Sequence, residues 1–379
     1  MFFGGIDVVS HGLFAALSVL VVACPCAVGL ATPVALAAGL NKAARNHILI
    51  RDTSALEQMR NVDVVVFDKT GTLTEGHPTV IGWLWAQGQE EHYKDVLLAA
   101  ESTSDHPLAE AIVTALEGEE QVIPAHLDGF ENITGKGVRV AYQGAEYWVG
   151  SHKLLKDYQA NLSDILADML TQYESDGNSI VYFGRENDLL AVIAIKDQLR
   201  VTSMEAIREL RIQDIEICML TGDGERTASS VAGSLGIMRF VADAMPDDKE
   251  DFIHKLQLQG KTVAMVGDGV NDAQALSCAD VSIAMGKGTD TLMDTAMITL
   301  STSDLLLLPK VFRLSRQTVS LMYRNLFWAF IYNTVGIFVA AGVLYPVYDI
   351  LLSPALAGAA MALSCVSVAL SSLRLSSRF

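Results

Sequence analysis

The chain has 379 residues, with 44 acidic and 27 basic side chains and a formal net charge of −17 at pH 7. Its hydrophobic content of 51% and mean hydropathy of +0.32 exceed what one soluble core needs, which predicts segments that lie in lipid. The acidic balance, without any basic run, argues against nucleic acid as a partner. Five cysteines are too few and too scattered for a disulfide framework, so we expect reduced thiols.

The first predicted element is a membrane-spanning helix within residues 13–40, which contain no charged residue. Apolar stretches at about 325–345 and 350–373 predict a second and a third span. Basic residues flank the outer ends of the three segments: Lys42, Arg45, Arg313, Arg316, Arg324, Arg374 and Arg378. The positive-inside rule places those ends in the cytoplasm. Buried helices of a soluble protein are the alternative, but three long uncharged stretches with consistent flanks favour membrane spans.

The region between the spans, residues 46–315, has the pattern of a soluble α/β protein. Buried parallel strands are predicted at 62–67, 215–220, 262–266 and 281–284, and helices at 201–210 and 248–258. This order predicts a doubly wound sheet whose polar clusters follow its strands, where ligands bind in open α/β sheets. Residues 74–194 interrupt the pattern with helices and strands of their own, so we interpret them as an inserted α+β domain.

The first predicted strand ends in the motif Asp68-Lys69-Thr70-Gly71-Thr72. A carboxylate at a strand end can attack a phosphoryl group and form an aspartyl phosphate. An aspartate that only caps a turn is the alternative. The motif resembles the phosphorylation site of P-type ATPases, which implies that Asp68 is the nucleophile and that Lys69 and Thr70 belong to the catalytic site.

Other clusters supply what phosphoryl transfer needs, namely Mg²⁺ ligands and positive charge. The turn from Gly267 to Asp272 contains Asp268, which can bind Mg²⁺ beside Asp68. The resemblance implies supporting roles for Asn271 and Asp272, and Mg²⁺ contacts from Asp68 and Thr70. It also implies phosphate contacts and charge balance from a further set of residues: Thr221, Gly222, Asp223 and Lys249. The wider resemblance is to haloacid-dehalogenase-like proteins.

The inserted domain carries a sequence from Ser104 to Leu108 that resembles the Ser-Glu-His-Pro-Leu motif of heavy-metal P-type ATPases, with Asp105 in place of the glutamate. In that subgroup the histidine positions adenine, which implies an ATP site in this domain. The residues implied in it are Glu101, His106, Pro107, Gly135, Gly137 and Ser151. An isolated surface histidine would usually be inert, and a lone Gly-x-Gly is a weak signal.

The first span contains Cys24-Pro25-Cys26. A mid-helix proline frees backbone groups, and two thiolates are soft ligands that suit Cu(I) and also Zn²⁺. Two ordinary buried thiols beside a kink are the alternative. The motif resembles heavy-metal (P1B-type) ATPases, and the copper subgroup implies four further ligands: Tyr332, Asn333, Met361 and Ser364. The resemblance of Tyr332-Asn333 to the Tyr-Asn pair of the copper subgroup and the thioether of Met361 favour Cu(I), with Ag(I) as a mimic. The resemblance implies charged residues within the spans of a zinc pump, and none lies there.

The predicted fold class is α/β plus membrane helices: a haloacid-dehalogenase-like doubly wound parallel sheet, an inserted α+β nucleotide-binding domain and three transmembrane helices. The predicted domains are a membrane helix (1–45), a phosphorylation domain in two parts (46–73 and 195–315), the nucleotide-binding domain (74–194) and two membrane helices (316–379).

The resemblance covers the whole chain, but the family also has further spans and an actuator domain with Thr-Gly-Glu, and this motif is absent from the sequence. We therefore expect the C-terminal half of a copper pump. It would use ATP and Mg²⁺, receive its metal from a soluble metallochaperone, depend on a complementing N-terminal half and lie in a bacterial inner membrane. The alternatives are a membrane-anchored phosphohydrolase and a remnant that only binds metal or nucleotide.

Overall fold

The computed structural model describes residues 6–86, 90–104, 106–119, 122–160, 164–268, 272–286, 296–348 and 351–377. Its helices are α1 (Ile6–Val22), α2 (Cys26–Arg45), α3 (Thr53–Gln58), α4 (Glu90–Glu101), α5 (Pro107–Glu117), α6 (His152–Asp157), α7 (Asp164–Ser175), α8 (Ser203–Ile212), α9 (Glu225–Leu235), α10 (Pro246–Leu258), α11 (Ala273–Cys278), α12 (Leu307–Ala340), α13 (Tyr345–Tyr348) and α14 (Pro354–Ser377).

Its strands are β1 (Ile48–Ile50), β2 (Val64–Asp68), β3 (Thr79–Trp85), β4 (Gly129–Ile133), β5 (Gly137–Tyr142), β6 (Ala145–Gly150), β7 (Ser179–Arg185), β8 (Asp188–Lys196), β9 (Glu216–Leu220), β10 (Arg239–Val241), β11 (Val263–Gly267), β12 (Val281–Met285) and β13 (Ile298–Leu300). These elements divide into two compact units. We call residues 61–309 the central unit, and residues 1–60 with 310–379 the terminal unit.

A parallel sheet organises the central unit, with the strand order β13-β12-β11-β2-β9-β10. Every residue of β2, β11 and β12 is buried, as expected for parallel strands covered on both faces. The four predicted strands are all present, with ends within two residues of the predicted bounds. The three-residue strands β10 and β13 were not predicted because such short segments show no periodicity.

Helices α10 and α11 cover one face of this sheet. Ile253 and Leu256 of α10 and Leu276 of α11 pack in one core cluster with Val66 of β2 and Met265 of β11. Because α10 and α11 pack on these strands, their first turns come close to the carboxyl ends of β2 and β11. The sequence predicts that ligands bind at the carboxyl ends of the strands. At this end of the sheet, residues of β2, β11, α10 and α11 come together.

A second, antiparallel sheet has the order β3-β8-β7-β6-β5-β4. Helices α4 and α5 pack on it through a core that includes Leu97, Ile112, Val138, Val149 and Phe183. This is the predicted α+β insertion, and the fold class is confirmed.

Helices α1 and α2 of the terminal unit are separated by a break at the predicted position. Helix α1 ends at Val22 and α2 begins at Cys26, because Pro25 has no N–H to continue the ladder. Many large apolar side chains of this unit are exposed, among them Leu20, Phe330 and Leu363. Such surfaces suit a lipid environment.

The described residues contain two helical segments, not three, that are long and apolar enough to cross a membrane: His11–Arg45 and Pro354–Leu375. The predicted span at 325–345 forms the C-terminal part of α12, a helix that also contains Arg313, Arg316 and Arg324. Polar residues, including Asn333, lower its mean hydropathy. The second predicted span, at 325–345, therefore stays a prediction.

Candidate active site and metal centre

Asp68 lies at the carboxyl end of β2, and its side chain is only 9% exposed. Lys249, in the first turn of α10, donates hydrogen bonds to Asp68 Oδ1 at 2.6 Å and to Asp272 Oδ1 at 2.7 Å. Burial lowers the pKa of the Lys249 ammonium, but the two carboxylates outweigh that effect and raise it. Lys249 is therefore a fixed positive charge between two of the predicted catalytic carboxylates.

Asp68, Asp268 and Asp272 form an acidic cluster in which one carboxylate oxygen from each lies within 4.8 Å of the others. Burial, and then the charges of Asp68 and Asp272, raise the pKa of Asp268 to about 7. Burial and the charge of Asp68 also raise the pKa of Asp272, although Lys249 opposes them. The cluster therefore carries more negative charge than Lys249 balances, which suits a divalent cation with oxygen ligands.

Lys69 makes an ion pair with Asp223, and the same ammonium donates to Ser179 Oγ at 3.1 Å. Ser179 Oγ in turn donates to Asp223 Oδ1 at 2.7 Å, and Thr221 Oγ1 donates to Asp223 Oδ2 at 2.9 Å. Burial alone would raise the pKa of Asp223, but Lys69 and these hydrogen bonds lower it. Ser179, from the inserted domain, was missed because a serine at a strand start gives no sequence signal.

The turn after Asp68 depends on Gly71, whose φ is +70°. A Cβ at this position would lie 1.5 Å from Asp268 Oδ2. A side chain at residue 71 would therefore overlap Asp268, and it would also have to adopt the positive φ that only glycine adopts readily. Buried Arg200 donates to Gly71 O and to Thr72 O, while Asp197 accepts from Thr74 Oγ1 at 2.5 Å. Arg200 and Asp197 were missed; two charges within four residues of the end of strand β8 were the available signal.

Three further predicted residues complete this region. Thr70 is half-buried, with a backbone φ of −73° and ψ of 130°, and Gly222 is exposed between Thr221 and Asp223. Asn271 lies outside the described residues. The structure thus brings together Asp68, Asp268, Asp272 and Lys249, with the pair of Lys69 and Asp223 on adjacent strand ends.

Glu101 and His106 lie at the facing ends of α4 and α5. Glu101 is buried, which raises the pKa of its carboxyl to about 7. The His106 side chain is exposed, but surrounding protein partly removes water from the imidazole, which lowers its pKa. The negative charge of Asp223 opposes this effect and acts to raise the pKa. Its Nδ1 accepts a hydrogen bond from Leu108 N at 3.2 Å, which leaves Nε2 as the protonated nitrogen of the neutral ring.

Pro107 is the first residue of α5, where its missing N–H costs nothing. Asp105, between Ser104 and His106, lies outside the described residues. The influence of Asp223, Lys69 and Asp68 on the pKa of His106 shows that this helix start lies near the Asp68 region.

The predicted glycine pair forms a tight turn between β4 and β5. Gly135 has φ +68°, and Gly137 is paired with Gly150 so closely that a Cβ on Gly137 would lie 2.1 Å from Val149 O. Ser151 follows, and its buried Oγ has no hydrogen-bond partner in the described residues. An unsatisfied buried hydroxyl is costly, and a ligand that reached Ser151 would satisfy it.

Cys24 and Cys26 are joined by a disulfide, which differs from the predicted reduced thiols. The physical reason is the break at Pro25, which places the two Cα atoms 5.6 Å apart, inside the usual range for a disulfide. The other cysteines, Cys218, Cys278 and Cys365, are free. Only the reduced form of the pair offers two thiolates to a metal.

The remaining predicted metal ligands differ in placement. Asn333 Nδ2 donates to the carbonyl oxygen of Cys24 at 3.5 Å, while the Tyr332 side chain is 53% exposed and contacts the Trp328 ring. Ser364 Oγ is buried without a hydrogen-bond partner in the described residues, and Met361 is half-buried on the same helix. The structure thus joins Asn333 to the break and leaves Tyr332 facing outward.

Residues 62–280 match the family described as haloacid dehalogenase-like hydrolase, and the chain belongs to this family. It is also 44% identical to the copper-exporting P-type ATPase of Legionella pneumophila subsp. pneumophila, over 97% of this chain and 50% of that protein. It is 45% identical to the silver exporting P-type ATPase of Salmonella typhimurium, over 97% of this chain and 44% of that protein.

A crystal structure of a zinc-transporting PIB-type ATPase in the E2·Pi state matches 93% of this chain and 56% of its own chain, with 34% identity and a TM-score of 0.65. The predicted resemblance to heavy-metal P-type ATPases is confirmed by these similarities. The chain spans about half the length of the curated relatives it matches.

Proposed function

We propose that this chain is the phosphorylated and metal-binding part of an ATP-driven pump that exports Cu(I) or Ag(I). The observation that carries the proposal is the position of Asp68 at a strand end, hydrogen-bonded to Lys249 and beside Asp268 and Asp272. Parallel sheets of this kind bind ligands at the carboxyl ends of their strands.

Asp68 Oδ2 is the proposed nucleophile, because Lys249 binds Oδ1. Oδ2 forms a bond to the γ-phosphorus of ATP as the bond to the bridging oxygen of ADP breaks, which gives an acyl phosphate on Asp68. Lys249 holds a positive charge at this carboxylate, and Thr221 and Gly222 with Lys69 are placed to contact the phosphoryl group. Asp68, Thr70 and Asp268 are the proposed holders of Mg²⁺, which when bound neutralises charge on phosphate oxygens.

The proposed ATP site uses the inserted domain. The Nε2–H of His106 is a donor for a base, and Glu101 can donate a hydrogen bond in its protonated form below about pH 7. The turn of Gly135 and Gly137 lets the nucleotide approach the backbone, and Ser151 offers a free hydroxyl. Asn271 and Asp272 are proposed to lie beside the phosphate groups of the bound ATP.

The transported ion is proposed to bind Cys24 and Cys26 in their reduced form, with Asn333, Met361, Ser364 and Tyr332 as the candidate further ligands. Thiolate and thioether are soft donors that select Cu(I) and Ag(I). Two relatives are named as copper and silver exporters, which supports Cu(I) or Ag(I), and the similar crystal structure is of a zinc transporter.

We further propose that the chain lies in a bacterial inner membrane, with the central unit in the cytoplasm and a soluble metallochaperone as metal donor. Basic residues at the cytoplasmic ends of the apolar segments support this orientation. The export cycle would also use the parts of the relatives that this chain does not span, in the same polypeptide or in a complementing N-terminal half.

The test is labelling of the purified chain with γ-labelled ATP and Mg²⁺. We expect an acid-stable, hydroxylamine-labile phosphoprotein whose level depends on Cu(I) or Ag(I) under reducing conditions. Asp68→Asn should abolish the label, and Asp52→Asn, an exposed helix cap outside the central unit, is the control that should keep it. Equal labelling of the Asp68→Asn and unsubstituted chains would refute the proposal.

A second candidate is a membrane-anchored phosphohydrolase without transport, which the hydrolase family match favours. The two functions differ in their response to metal. A pump part should lose its Cu(I) response in Cys24→Ser and Cys26→Ser variants, whereas a phosphohydrolase should release inorganic phosphate from small phosphate esters at the same rate in all three proteins.

A further inference from the structure

A second group of metal-binding side chains lies outside the Asp68 region. Glu250 and His254 are one turn apart on α10, and Cys278 is the last residue of α11. One ligand atom from each lies within 4.8 Å of the others. The three residues are not part of any motif that the proposed pump cycle uses, and all belong to the central unit.

The three donor atoms already converge on one point. Cys278 Sγ donates to Glu250 Oε1 at 3.4 Å, and His254 Nε2 lies 3.5 Å from the same oxygen. A tetrahedral ion with bonds of about 2.0–2.3 Å separates its ligand atoms by about 3.3–3.7 Å. The observed separations from Glu250 Oε1 therefore match the edges of a tetrahedral site.

Gln257 orients two of the donors. Its side-chain Nε2 donates to Cys278 O at 2.9 Å, which fixes the amide so that Oε1 faces His254 Nδ1 at 3.2 Å. Because Oε1 can only accept, Nδ1 is the donor to Gln257, and Nε2, 3.5 Å from the Glu250 carboxylate, is the nitrogen that can bind a metal in the neutral ring. A hydrogen-bonded Nδ1–H with a free Nε2 is the usual arrangement of a metal-binding histidine.

We propose that Glu250, His254 and Cys278 bind one Zn²⁺ ion, with the fourth position open to solvent. A thiolate, an imidazole and a carboxylate together suit a borderline ion, whereas Mg²⁺ prefers oxygen ligands and Cu(I) prefers sulfur. On binding, Cys278 Sγ loses its proton to solvent, its hydrogen bond to Glu250 is replaced by the Zn–S bond, and His254 binds through Nε2.

The site lies on the two helices that carry the catalytic ion pair. Lys249 directly precedes Glu250, and Asp272 directly precedes α11, whose last residue is Cys278. Lys249 and Asp272 are themselves joined at 2.7 Å. The ion pair of Lys249 with Asp272 already joins the start of α10 to the start of α11, and a Zn²⁺ ion would add a second link between these helices. We expect it to stabilise the helix pair and so the contact of Lys249 with Asp272.

The test uses the full chain in detergent with a non-thiol reductant, in a Cys24→Ser/Cys26→Ser background that removes the membrane thiol pair. Co²⁺ serves as a spectroscopic substitute for Zn²⁺. We expect one thiolate-bound Co²⁺ per chain, seen as thiolate-to-metal charge-transfer absorption that is lost on addition of Zn²⁺; a Co²⁺ ion on the oxygen ligands of the Asp68 cluster gives no such absorption. Cys278→Ser should abolish this absorption, while Cys365→Ser, the matched control, should keep it.

A substitution at an exposed side chain separates binding from folding. His254 is 50% exposed, so His254→Gln should fold normally, lower the Zn²⁺ affinity at least about tenfold, and remove the rise in melting temperature that Zn²⁺ gives the background protein. Absence of thiolate absorption in the folded background protein, or its persistence in Cys278→Ser, would overturn the proposal. So would Zn²⁺ binding that is unchanged in His254→Gln. The result is independent of phosphorylation, because Asp68 is not involved.

Discussion

The Asp68 region and the Cys24–Cys26 region are built on different physical principles. Around Asp68, ion pairs fix the side chains: Lys249 bridges Asp68 and Asp272, and Lys69 pairs with Asp223. Around the cysteines, small apolar residues hold the helices together. Ala31 of α2 and Ala329 of α12 are fully buried and pack in one cluster with Val368 of α14.

The difference follows from what each region can use. A buried carboxylate needs a cation or a hydrogen-bond donor, so removing one charge leaves another uncompensated. Helices in lipid approach closely through small residues, and a proline break exposes backbone and side-chain ligands without any charge. We therefore expect charge changes near Asp68 to cost the most stability, and changes near Cys24 to alter metal binding with little cost in stability.

The strongest test of this contrast is Lys249→Met. It leaves Asp68 and Asp272 buried without their shared cation, so we expect a loss of about 3–5 kcal/mol in the free energy of unfolding and loss of phosphoprotein formation. Lys255→Met, at an exposed position of the same helix, should change stability by less than about 0.5 kcal/mol. Comparable melting temperatures for the two variants would contradict the role of Lys249.

The pH dependence of stability is the next test. Because the pKa of Asp268 is raised to about 7, the folded state holds a proton that the unfolded state has released, and stability falls as pH rises from about 4 to about 7. A shift of about 3 pKa units corresponds to at most about 4 kcal/mol. Melting temperatures measured without Mg²⁺ should show this decline.

Two controls accompany the pH measurement. Asp268→Asn should reduce the decline, since the amide does not titrate, while the raised pKa values of Asp272 and Glu101 leave part of it. Saturating Mg²⁺ displaces the proton, so the stabilisation that Mg²⁺ adds should increase over the same pH range. A decline of equal size in the Asp268→Asn protein would assign the effect to other carboxyl groups.

Gly71→Ala tests the close approach of the turn to Asp268. The new Cβ would meet Asp268 Oδ2 at 1.5 Å, and displacing that carboxylate should lower the rate of phosphoprotein formation by about 10²-fold. Gly144→Ala is the matched control, because its φ is +77° but no atom lies within 4 Å of the new Cβ. It should lose about 1–2 kcal/mol of stability and keep its phosphorylation rate. Equal rates of phosphoprotein formation in the two variants would show that the close approach of residue 71 to Asp268 has no effect on phosphorylation.

The smallest expected effect concerns Asn333. Its side chain contacts the Cys24 carbonyl, so Asn333→Ala should weaken Cu(I) binding by the reduced chain about tenfold, with little change in melting temperature. Thr334→Ala, where the hydroxyl bonds only within its own helix, should bind Cu(I) normally. The measurement is competition with a chromophoric Cu(I) chelator. A large loss of stability in Asn333→Ala would break the contrast between the two regions.

Contiguous motifs made much of the candidate site predictable. The run from Asp68 to Thr72 and the turn containing Asp268 follow strands whose burial pattern is visible in the sequence, and their proximity follows from parallel pairing of β2 with β11. Ser179, Asp197 and Arg200 could not be found in this way. They reach the site only because β7 and the end of β8 return to it, and such returns leave no local pattern.

The sequence by itself determined the strands of the parallel sheet, the helix break at Pro25 and the residue types that can take a phosphoryl group or a soft metal. These depend on hydrophobic periodicity and on local backbone chemistry. Only the tertiary structure decided that Lys249 bridges Asp68 and Asp272, that Asn333 and not Tyr332 contacts the break, and that His254 meets Cys278. Each of these contacts joins residues far apart in the chain or on different helices, so its existence depends on packing directions that a linear pattern does not contain.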